Sequence, residues 1–406
     1  MSRPRTIILA VIVSTFFVGF GGGVVFPILP NLGALLGISP FVVGLILSVN
    51  RFTRVVANTP AGSLIDRIGT RKPFIAGLFI EGLATLGYVV ALNATLPEVW
   101  FLAARILWGL GSAFVFATAY TIAADVSTGT SRGTNMGVVR GGMTLGFPAG
   151  LVMGGVVSDL YSVTTAFVLA AAFALFASAI AYFAIPETHV SGPQTRVKPW
   201  DVDVSAPALT IGAVNFGLYF AYLGALFSTL VLFLDFHGFS VWGYGPQGMS
   251  GLLMAVTVVS AAVFTFGGGK LSDDYGARIP VLLGFLVVSF AGFALLAVAE
   301  TIPTLAVACL LIGIGQGGTS GPLIALLADF TPTERMGRAT ATNNVLGDLG
   351  GGLGPLVSLP LINLVGFAPV YAVCAVIPLV AGLLLVGSIY SQTGELSPTT
   401  VSLADD

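Results

Sequence analysis

The sequence predicts an all-α membrane protein with twelve transmembrane helices in two related six-helix bundles. Of its 406 residues, 56% are hydrophobic and 8% are charged, and the mean hydropathy is +0.98. Such a chain has too few polar residues to cover a water-soluble surface. Long apolar stretches alternate with short polar turns, and a charged motif of the first half returns in the second. This duplication is typical of membrane transporters.

Twelve stretches are long enough to be transmembrane helices, because about 20 apolar residues cross the ~30 Å hydrocarbon layer. No strand is required to account for the chain. The predicted spans are 6–30, 40–62, 73–93, 98–122, 134–157, 164–185, 206–235, 247–269, 279–299, 303–327, 338–362 and 367–390.

A polar connector with two prolines separates the sixth stretch from the seventh, and its composition suits an exposed linker. The predicted organisation is an N-terminal bundle at 1–186, a cytoplasmic linker at 187–205, a C-terminal bundle at 206–390 and a cytoplasmic tail at 391–406.

The charged motif has the spacing G-x-x-x-D-x-x-G-x-R and lies between the second and third helices of each half. The first copy is more basic, because Asp274 and Ile279 replace Arg67 and Lys72 in the second. This difference favours the first copy as the principal gate. The motif residues are Gly62, Asp66, Gly69 and Arg71 in the first copy and Gly269, Asp273, Gly276 and Arg278 in the second.

The basic residues predict the orientation, because Lys and Arg are retained in cytoplasmic loops. In the twelve-helix layout they all fall on one side, which places both termini in the cytoplasm. We expect an integral protein of the cell membrane. The residues that set this orientation are Arg3, Arg5, Arg67, Arg71, Lys72, Arg132, Arg196, Lys198, Lys270, Arg278, Arg335 and Arg338.

Composition and motif context exclude several other classes. The 16 Lys and Arg residues form no basic stripe, so no nucleic-acid partner is expected. The two histidines lie in loops on opposite sides and form no metal cluster with the two cysteines. Gly313–Gly318 fits a dinucleotide-binding pattern, but no strand precedes it. We therefore expect no cofactor, no metal and no enzyme activity.

The chain resembles the major facilitator superfamily over nearly its whole length, and the drug:proton antiporters in particular. The loop motif of the family is present with Arg67 and Lys72, and its fourth-helix pattern appears as Arg105 followed by Gly109 and Gly111. The fifth-helix antiporter pattern is partial, because Leu151 stands where proline is usual. The glycines of this pattern are Gly146, Gly150, Gly154 and Gly155, and the second half has Gly350, Gly354 and Pro355.

Ionisable residues inside a bilayer are costly, so each is a functional candidate. Glu81 and Arg54 lie at matching depths on adjacent antiparallel helices, with Arg51 one turn away as a second donor. They form either a structural ion pair or a proton site in which the arginines set the affinity of Glu81 for protons. The six predicted membrane-embedded charges are Arg51, Arg54, Glu81, Arg105, Arg140 and Asp348.

Three of these charges have alternative roles. The resemblance implies a coupling role for Arg105, and a buried hydrogen-bond brace is the alternative. Arg140 is near enough to the inner surface to snorkel. Asp348 is either a second proton or cation site or a polar partner for a neighbouring helix. Four arginines against two acids, with no acid in the first helix, favour an anionic or neutral cargo.

Glycines spaced every four residues line one helix face and permit close packing. They serve either packing alone or the sliding of helices during transport. The resemblance implies a gating latch at Asp66 and a cargo cavity lined by the first and fourth helices of each half. Polar or amphipathic residues at suitable depths are Tyr219, Tyr222, Gln316, Thr319, Asn343 and Asn344.

These observations predict a monomeric secondary transporter that works by alternating access, moving protons against an exported small molecule. Uptake or facilitated transport of a small metabolite is the alternative within this class. A membrane sensor derived from a transporter is the alternative outside it.

Overall fold

The computed structural model of the chain describes residues 4–127, 132–188, 202–240 and 243–398. In this part of the chain twelve helices are long and apolar enough to cross a membrane, and no strand is present. The predicted fold class is therefore confirmed. The described residues fall into two compact units, one within Met1–Pro199 and Leu234–Ala255, the other within Trp200–Phe233 and Val256–Asp406.

The first six membrane helices belong to unit 1. They are α1 (Pro4–Val24), α2 (Pro40–Ile68), α3 (Arg71–Leu92), α4 (Pro97–Asp125), α5 (Arg132–Leu160) and α6 (Val163–Ala184).

The remaining six helices follow the linker, most of which (189–201) lies outside the described residues. They are α7 (Ala206–Phe236), α8 (Pro246–Tyr275), α9 (Arg278–Ala297), α10 (Ile302–Asp329), α11 (Met336–Val365) and α12 (Phe367–Thr393).

Three helices end six residues away from their predicted ends. α1 ends at Val24 rather than near residue 30, and a 3-10 turn (Leu29–Asn31) and a short helix (Leu32–Leu36) follow it. Pro27 and Pro30 account for this, because proline cannot continue the α-helical hydrogen bonds. α2 and α8 each extend six residues beyond their predicted ends, to Ile68 and Tyr275, because a helix continues through polar residues after the apolar stretch has ended.

In unit 1, α5 packs directly against the backbone of α1. A methyl group at Gly146 or Gly150 would overlap the carbonyl oxygen of Phe16 or Phe20 respectively. Glycine is thus needed at both positions for the helices to approach so closely. This is the packing that the glycine spacing predicts, and their additional role in sliding stays a prediction.

α4 packs against α2 and α3 and contacts them with alternate glycines. A methyl group at Gly109 would lie 2.6 Å from the Asn50 carbonyl oxygen of α2. One at Gly111 would lie 2.7 Å from the Gly77 carbonyl oxygen of α3 and 2.9 Å from Cγ of Glu81. The glycines of the fourth-helix pattern therefore allow α4 to pack closely against both neighbours.

In unit 2, α7 packs against α11, and α9 packs against α10 and α12. The centre of α7 is a π-helical segment, Phe220–Leu226, with wider backbone spacing than an α-helix. Gly224 within it approaches Gly354 of α11, where an added methyl group would lie 2.6 Å from the Gly354 Cα. Gly350 contacts the Phe216 carbonyl of α7 in the same way.

The last residues of the linker are fixed to unit 2. Asp203 is buried, its backbone N–H donates to the Thr342 hydroxyl at 2.9 Å, and its Oδ1 accepts from the Ser205 N–H at 2.8 Å. Hydrogen bonds from the Ser205 side chain and backbone hold the pKa of the Asp203 carboxyl below its usual range, and the nearby charges of Arg335 and Arg338 lower this pKa further.

Candidate functional site

The first copy of the repeated motif forms the turn between α2 and α3. Gly69 follows α2 with a φ of 87°, a conformation that favours glycine. It also leaves room for the Glu187 carboxylate, which accepts hydrogen bonds from the Thr70 N–H at 2.8 Å and the Thr70 hydroxyl at 3.0 Å. A carboxylate therefore lies at the N-terminus of α3, where the helix dipole stabilises negative charge.

Arg71 fixes the same turn to the end of α6. Its Nε donates to the Ile185 carbonyl and its Nη2 to the Tyr182 carbonyl, each at 2.7 Å. The Thr188 hydroxyl donates to Oδ2 of Asp125 at the end of α4, at 3.2 Å. The chain that leaves α6 thus ties together the ends of α2, α3 and α4.

The other residues of this copy are more exposed. The side chains of Asp66, Arg67 and Lys72 are exposed, and Gly62 is half-buried on α2. The structure therefore brings Gly69 and Arg71 into the contact with α6, and the latch role of Asp66 stays a prediction.

The second copy holds its arginine differently. Arg278 at the start of α9 donates from Nε to Oδ2 of Asp329 at 3.0 Å and forms a second ion pair with Asp273. Gly276 has a φ of 71°, as a tight turn requires, and Gly269 is half-buried. Arg278 is thus bound by carboxylates, whereas Arg71 is bound by backbone carbonyls.

Arg105 is the largest buried polar side chain of unit 1, with 2% of its surface exposed. Its guanidinium donates to the carbonyls of Ile46 at 2.9 Å and Leu47 at 3.0 Å, and to Oδ1 of Asn50 at 2.6 Å. It also lies 5.7 Å from the centre of the Trp108 ring. These contacts join α4 to α2, as a buried brace requires, and the coupling role stays a prediction.

Glu81 lies on α3 and is 1% exposed. The charge of Arg54 on α2 acts on its carboxylate, so the two side chains lie within electrostatic range of each other. Among the described residues, Oε1 of Glu81 has no hydrogen-bond partner. Glu81 is therefore a buried carboxyl group with a nearby cation and an acceptor atom that protein groups leave unsatisfied.

The remaining predicted charges are less buried. Arg51, Arg54 and Asp348 are half-buried, and the Arg54 guanidinium lies 5.2 Å from the centre of the Phe116 ring. Arg140 is exposed, and its charge acts on the Tyr120 phenol of α4.

The predicted cargo residues of unit 2 differ in their surroundings. The Thr319 hydroxyl bonds to carbonyls of its own helix at Gly315 and Gln316. In contrast, Oδ1 of Asn343 has no hydrogen-bond partner among the described residues, so it is a buried acceptor. Tyr222, Gln316, Thr319 and Asn343 are buried, Tyr219 is half-buried and Asn344 is exposed.

Three features of the site were not anticipated from the sequence. Glu187 binds the start of α3 from the beginning of the linker. Asp159 at the end of α5 accepts from the Gly248 N–H in the first turn of α8 at 2.6 Å. Tyr88 lies buried seven residues after Glu81, and its hydroxyl also lacks a hydrogen-bond partner within the described part of the chain. For Glu187 and Asp159, a carboxylate next to a helix end was the available signal.

In the described ranges, no group of three His, Cys, Asp or Glu side chains is arranged to hold a metal ion. Cys309 and Cys374 are buried free thiols.

Comparison with known proteins agrees with this geometry. The model of the Major Facilitator Superfamily matches residues 11–355, with a second match over 244–402. An uncharacterized MFS-type transporter of Methanocaldococcus jannaschii is 25% identical over 391 residues, covering 95% of this chain and 98% of that protein. A multi-drug resistance efflux pump PmrA homolog of Lactococcus lactis is 23% identical over 380 residues, covering 90% and 92%.

Among solved structures, a mutant of the nucleoside transporter NupG has a TM-score of 0.78 at 16% identity, covering 94% of this chain and 99% of that one. At this identity the likeness shows the fold alone. The twelve helices, the duplicated turn and the family match lead to one conclusion. The chain belongs to the major facilitator superfamily and is an integral membrane transporter of small molecules, not an enzyme.

Proposed function

We propose that this transporter exports a small molecule in exchange for protons by alternating access, with Glu81 as the proton-binding group. The observation that carries the proposal is the environment of Glu81, which is buried within the span of α3 next to the charge of Arg54. A buried ionised carboxylate is costly, and a nearby cation offsets part of that cost. Small changes in the position of Arg54 therefore change the affinity of Glu81 for a proton.

This sensitivity is what coupling requires. In alternating access the site must bind a proton on one side of the membrane and release it on the other. Arg54 is on α2 and Glu81 on α3, so relative movement of these helices alters the charge next to the carboxylate. The brace from Arg105 to α2 would transmit movement of α4 to the same place.

The direction and the cargo are inferred from a relative and from the charges in the membrane region. The name of the Lactococcus lactis relative describes an efflux pump, which favours export. The first helix contains no acid, and four arginines lie in the membrane region against two acids, which favours an anionic or neutral cargo. Proton-coupled uptake of a small metabolite is the alternative, because the same proton site serves either direction.

The rest of the proposal concerns placement and gating. We place the protein in the cell membrane as a monomer, with both termini and both copies of the repeated motif on the cytoplasmic side. Asp66 in the first copy acts as the latch of the inner gate. Gly350 and Gly354 with Pro355, together with the glycines of α5, serve as the seams along which helices move.

The proposal predicts that Glu81→Gln abolishes proton coupling. In proteoliposomes screened with a panel of neutral and anionic compounds, we expect the wild-type protein to move at least one compound under an imposed pH gradient. Gln keeps the size of Glu but neither gains nor loses a proton at these pH values. The variant should therefore exchange compound across the membrane without responding to the gradient.

The matched control is Glu300→Gln, the same change at an exposed loop position, which should couple normally. If Glu81→Gln lowers expression while the surviving protein keeps its coupling to protons, the carboxylate has a structural role only. If no compound moves under a pH gradient in either direction, proton-coupled transport itself is wrong.

A further inference from the structure

Three polar residues follow one another along a single face of α3. Thr85 lies four residues after Glu81 and Tyr88 three residues further, which is the spacing that aligns side chains on a helix. All three are buried, with 1% of Glu81, 2% of Thr85 and none of Tyr88 exposed. The line begins near mid-helix and ends four residues from Leu92, the end of α3 that is predicted to be extracellular.

Both ends of this line have unsatisfied polar atoms. In the described part of the chain, neither Oε1 of Glu81 nor the hydroxyl of Tyr88 has a hydrogen-bond partner. A buried polar atom without a partner destabilises the folded protein. Such atoms in native proteins are usually satisfied by bound water, which needs polar neighbours of this kind.

The packing of Tyr88 does not explain its hydroxyl. The ring stacks on Phe101 of α4, with centroids 5.9 Å apart, and packs against Phe167 of α6 at 5.2 Å. Phenylalanine would fill this aromatic socket equally well and avoid the unsatisfied hydroxyl. The hydroxyl therefore points to a role other than packing.

The charges around the line come from three helices. Arg54 on α2 acts on Glu81, and both Arg105 on α4 and Glu81 itself act on the Tyr88 hydroxyl. Arg105 lies near this hydroxyl without a hydrogen bond of normal geometry to it. α6, the other helix against Tyr88, contains no ionisable side chain apart from Tyr182 near its opposite end.

We propose that Tyr88, Thr85 and bound water form the path by which protons reach Glu81 from the extracellular side. The inference rests on the proposed function, because it takes Glu81 as the proton-binding group. Seven residues of α-helix span about 10 Å, so the Thr85 hydroxyl and a water molecule on each side of it are needed to bridge the gap. The Thr85 hydroxyl donates to the backbone carbonyl of Glu81 at 2.8 Å, so it must turn away from that carbonyl to pass its proton on, and it has lone pairs free to accept.

Proton transfer along this path is balanced at each step. The Tyr88 oxygen accepts a proton from water on the extracellular side and releases its own proton to the next water. That water passes a proton to the Thr85 hydroxyl, which turns away from the backbone carbonyl and releases its own proton to the second water. The second water passes a proton to the Glu81 carboxylate. The Glu81 carboxylate gains one proton, and both hydroxyl groups return to their neutral form.

Infrared spectroscopy of the purified protein after a downward pH jump tests the path without any cargo. The carboxyl band of Glu81 is the one that is absent in Glu81→Gln. We expect Tyr88→Phe and Thr85→Val to slow the rise of this band by about a hundredfold or more, as loss of a proton-transfer group does. Its final amplitude should not change. The matched control is Tyr371→Phe, which removes a buried hydroxyl in unit 2 and should leave the rate unchanged.

The two proposals fail in different ways. If wild type and Glu81→Gln show no difference in carboxyl bands across the accessible pH range, Glu81 does not bind protons and the proposed function loses its basis. If the Glu81 band is present and rises at the wild-type rate in either folded variant, the path is wrong while the proton site stands. Tyr88→Phe should unfold at or above the wild-type temperature, because it removes an unsatisfied hydroxyl, so its folding should not limit the test.

Discussion

At the scale of single residues, the guanidinium of Arg105 shows how this chain retains a buried charge. It donates three hydrogen bonds to α2, two of them to backbone carbonyls. Carbonyl dipoles and the Asn50 amide oxygen compensate part of the cost of burial without a carboxylate in direct contact. Under the proposed function, this arrangement leaves the Glu81 carboxylate available to bind protons.

Arg105→Lys tests this compensation. Lysine keeps the charge, but its single ammonium cannot reproduce the fork of donors that reaches three acceptors. We expect a loss of about 3 kcal/mol in stability, seen as a lower unfolding temperature in detergent. Asn50→Ala removes one acceptor only and should cost about 1–3 kcal/mol. An Arg105→Lys protein as stable as the wild type would show that the fork of bonds is not what holds α4 to α2.

At the scale of helices, the seam between α1 and α5 sets the tightest geometry of unit 1. Gly142, Gly146, Gly150 and Gly154 on α5 each meet backbone of α1. Such contact excludes side chains altogether, so van der Waals packing of backbone against backbone stabilises the pair.

Gly150→Ala should break this seam. The added methyl group would overlap the Phe20 carbonyl oxygen, so α5 must move away from α1. We expect a loss of at least about 2 kcal/mol, or failure to accumulate in the membrane. Gly141→Ala is the matched control on the same helix, because nothing lies within 4 Å of its added methyl group. It should be neutral or gain up to about 1 kcal/mol from helix propensity. Equal unfolding temperatures for the two variants would contradict the close contact.

The helices and part of the site could be predicted, because the membrane imposes strong local rules. Apolar length gave the twelve spans, and matching depth placed Arg54 beside Glu81. Contacts between residues far apart in the sequence could not be predicted. Glu187 binds the start of α3 from more than a hundred residues away, and no periodic pattern connects the two. The unsatisfied hydroxyl of Tyr88 is a property of its tertiary surroundings, and its sequence neighbourhood resembles any apolar helix.

At the scale of the whole molecule, duplication has produced two similar turns that are built differently. Arg278 of the second copy is bound by Asp273 and Asp329, so that turn is neutralised within unit 2. Arg71 of the first copy is bound by carbonyls of α6, and exposed Arg67 and Lys72 add further positive charge. The first turn therefore has two exposed basic side chains, with the Glu187 carboxylate bound to its backbone, whereas the arginine of the second turn is paired with carboxylates.

This asymmetry predicts unequal effects from the same substitution in the two copies. If Asp66 is the latch of the inner gate, Asp66→Asn removes the charge that stabilises one gate state and slows turnover. Cargo affinity should change little, because in the predicted topology the turn is a cytoplasmic loop whereas the proposed cargo residues lie within membrane helices. Asp273→Asn should have a smaller effect, since Arg278 keeps its bond to Asp329.

Initial transport rates in proteoliposomes over a range of cargo concentrations separate maximal rate from affinity. A large loss of affinity at a normal maximal rate in Asp66→Asn, or equal slowing by both variants, would contradict the assignment of the first turn as the principal gate.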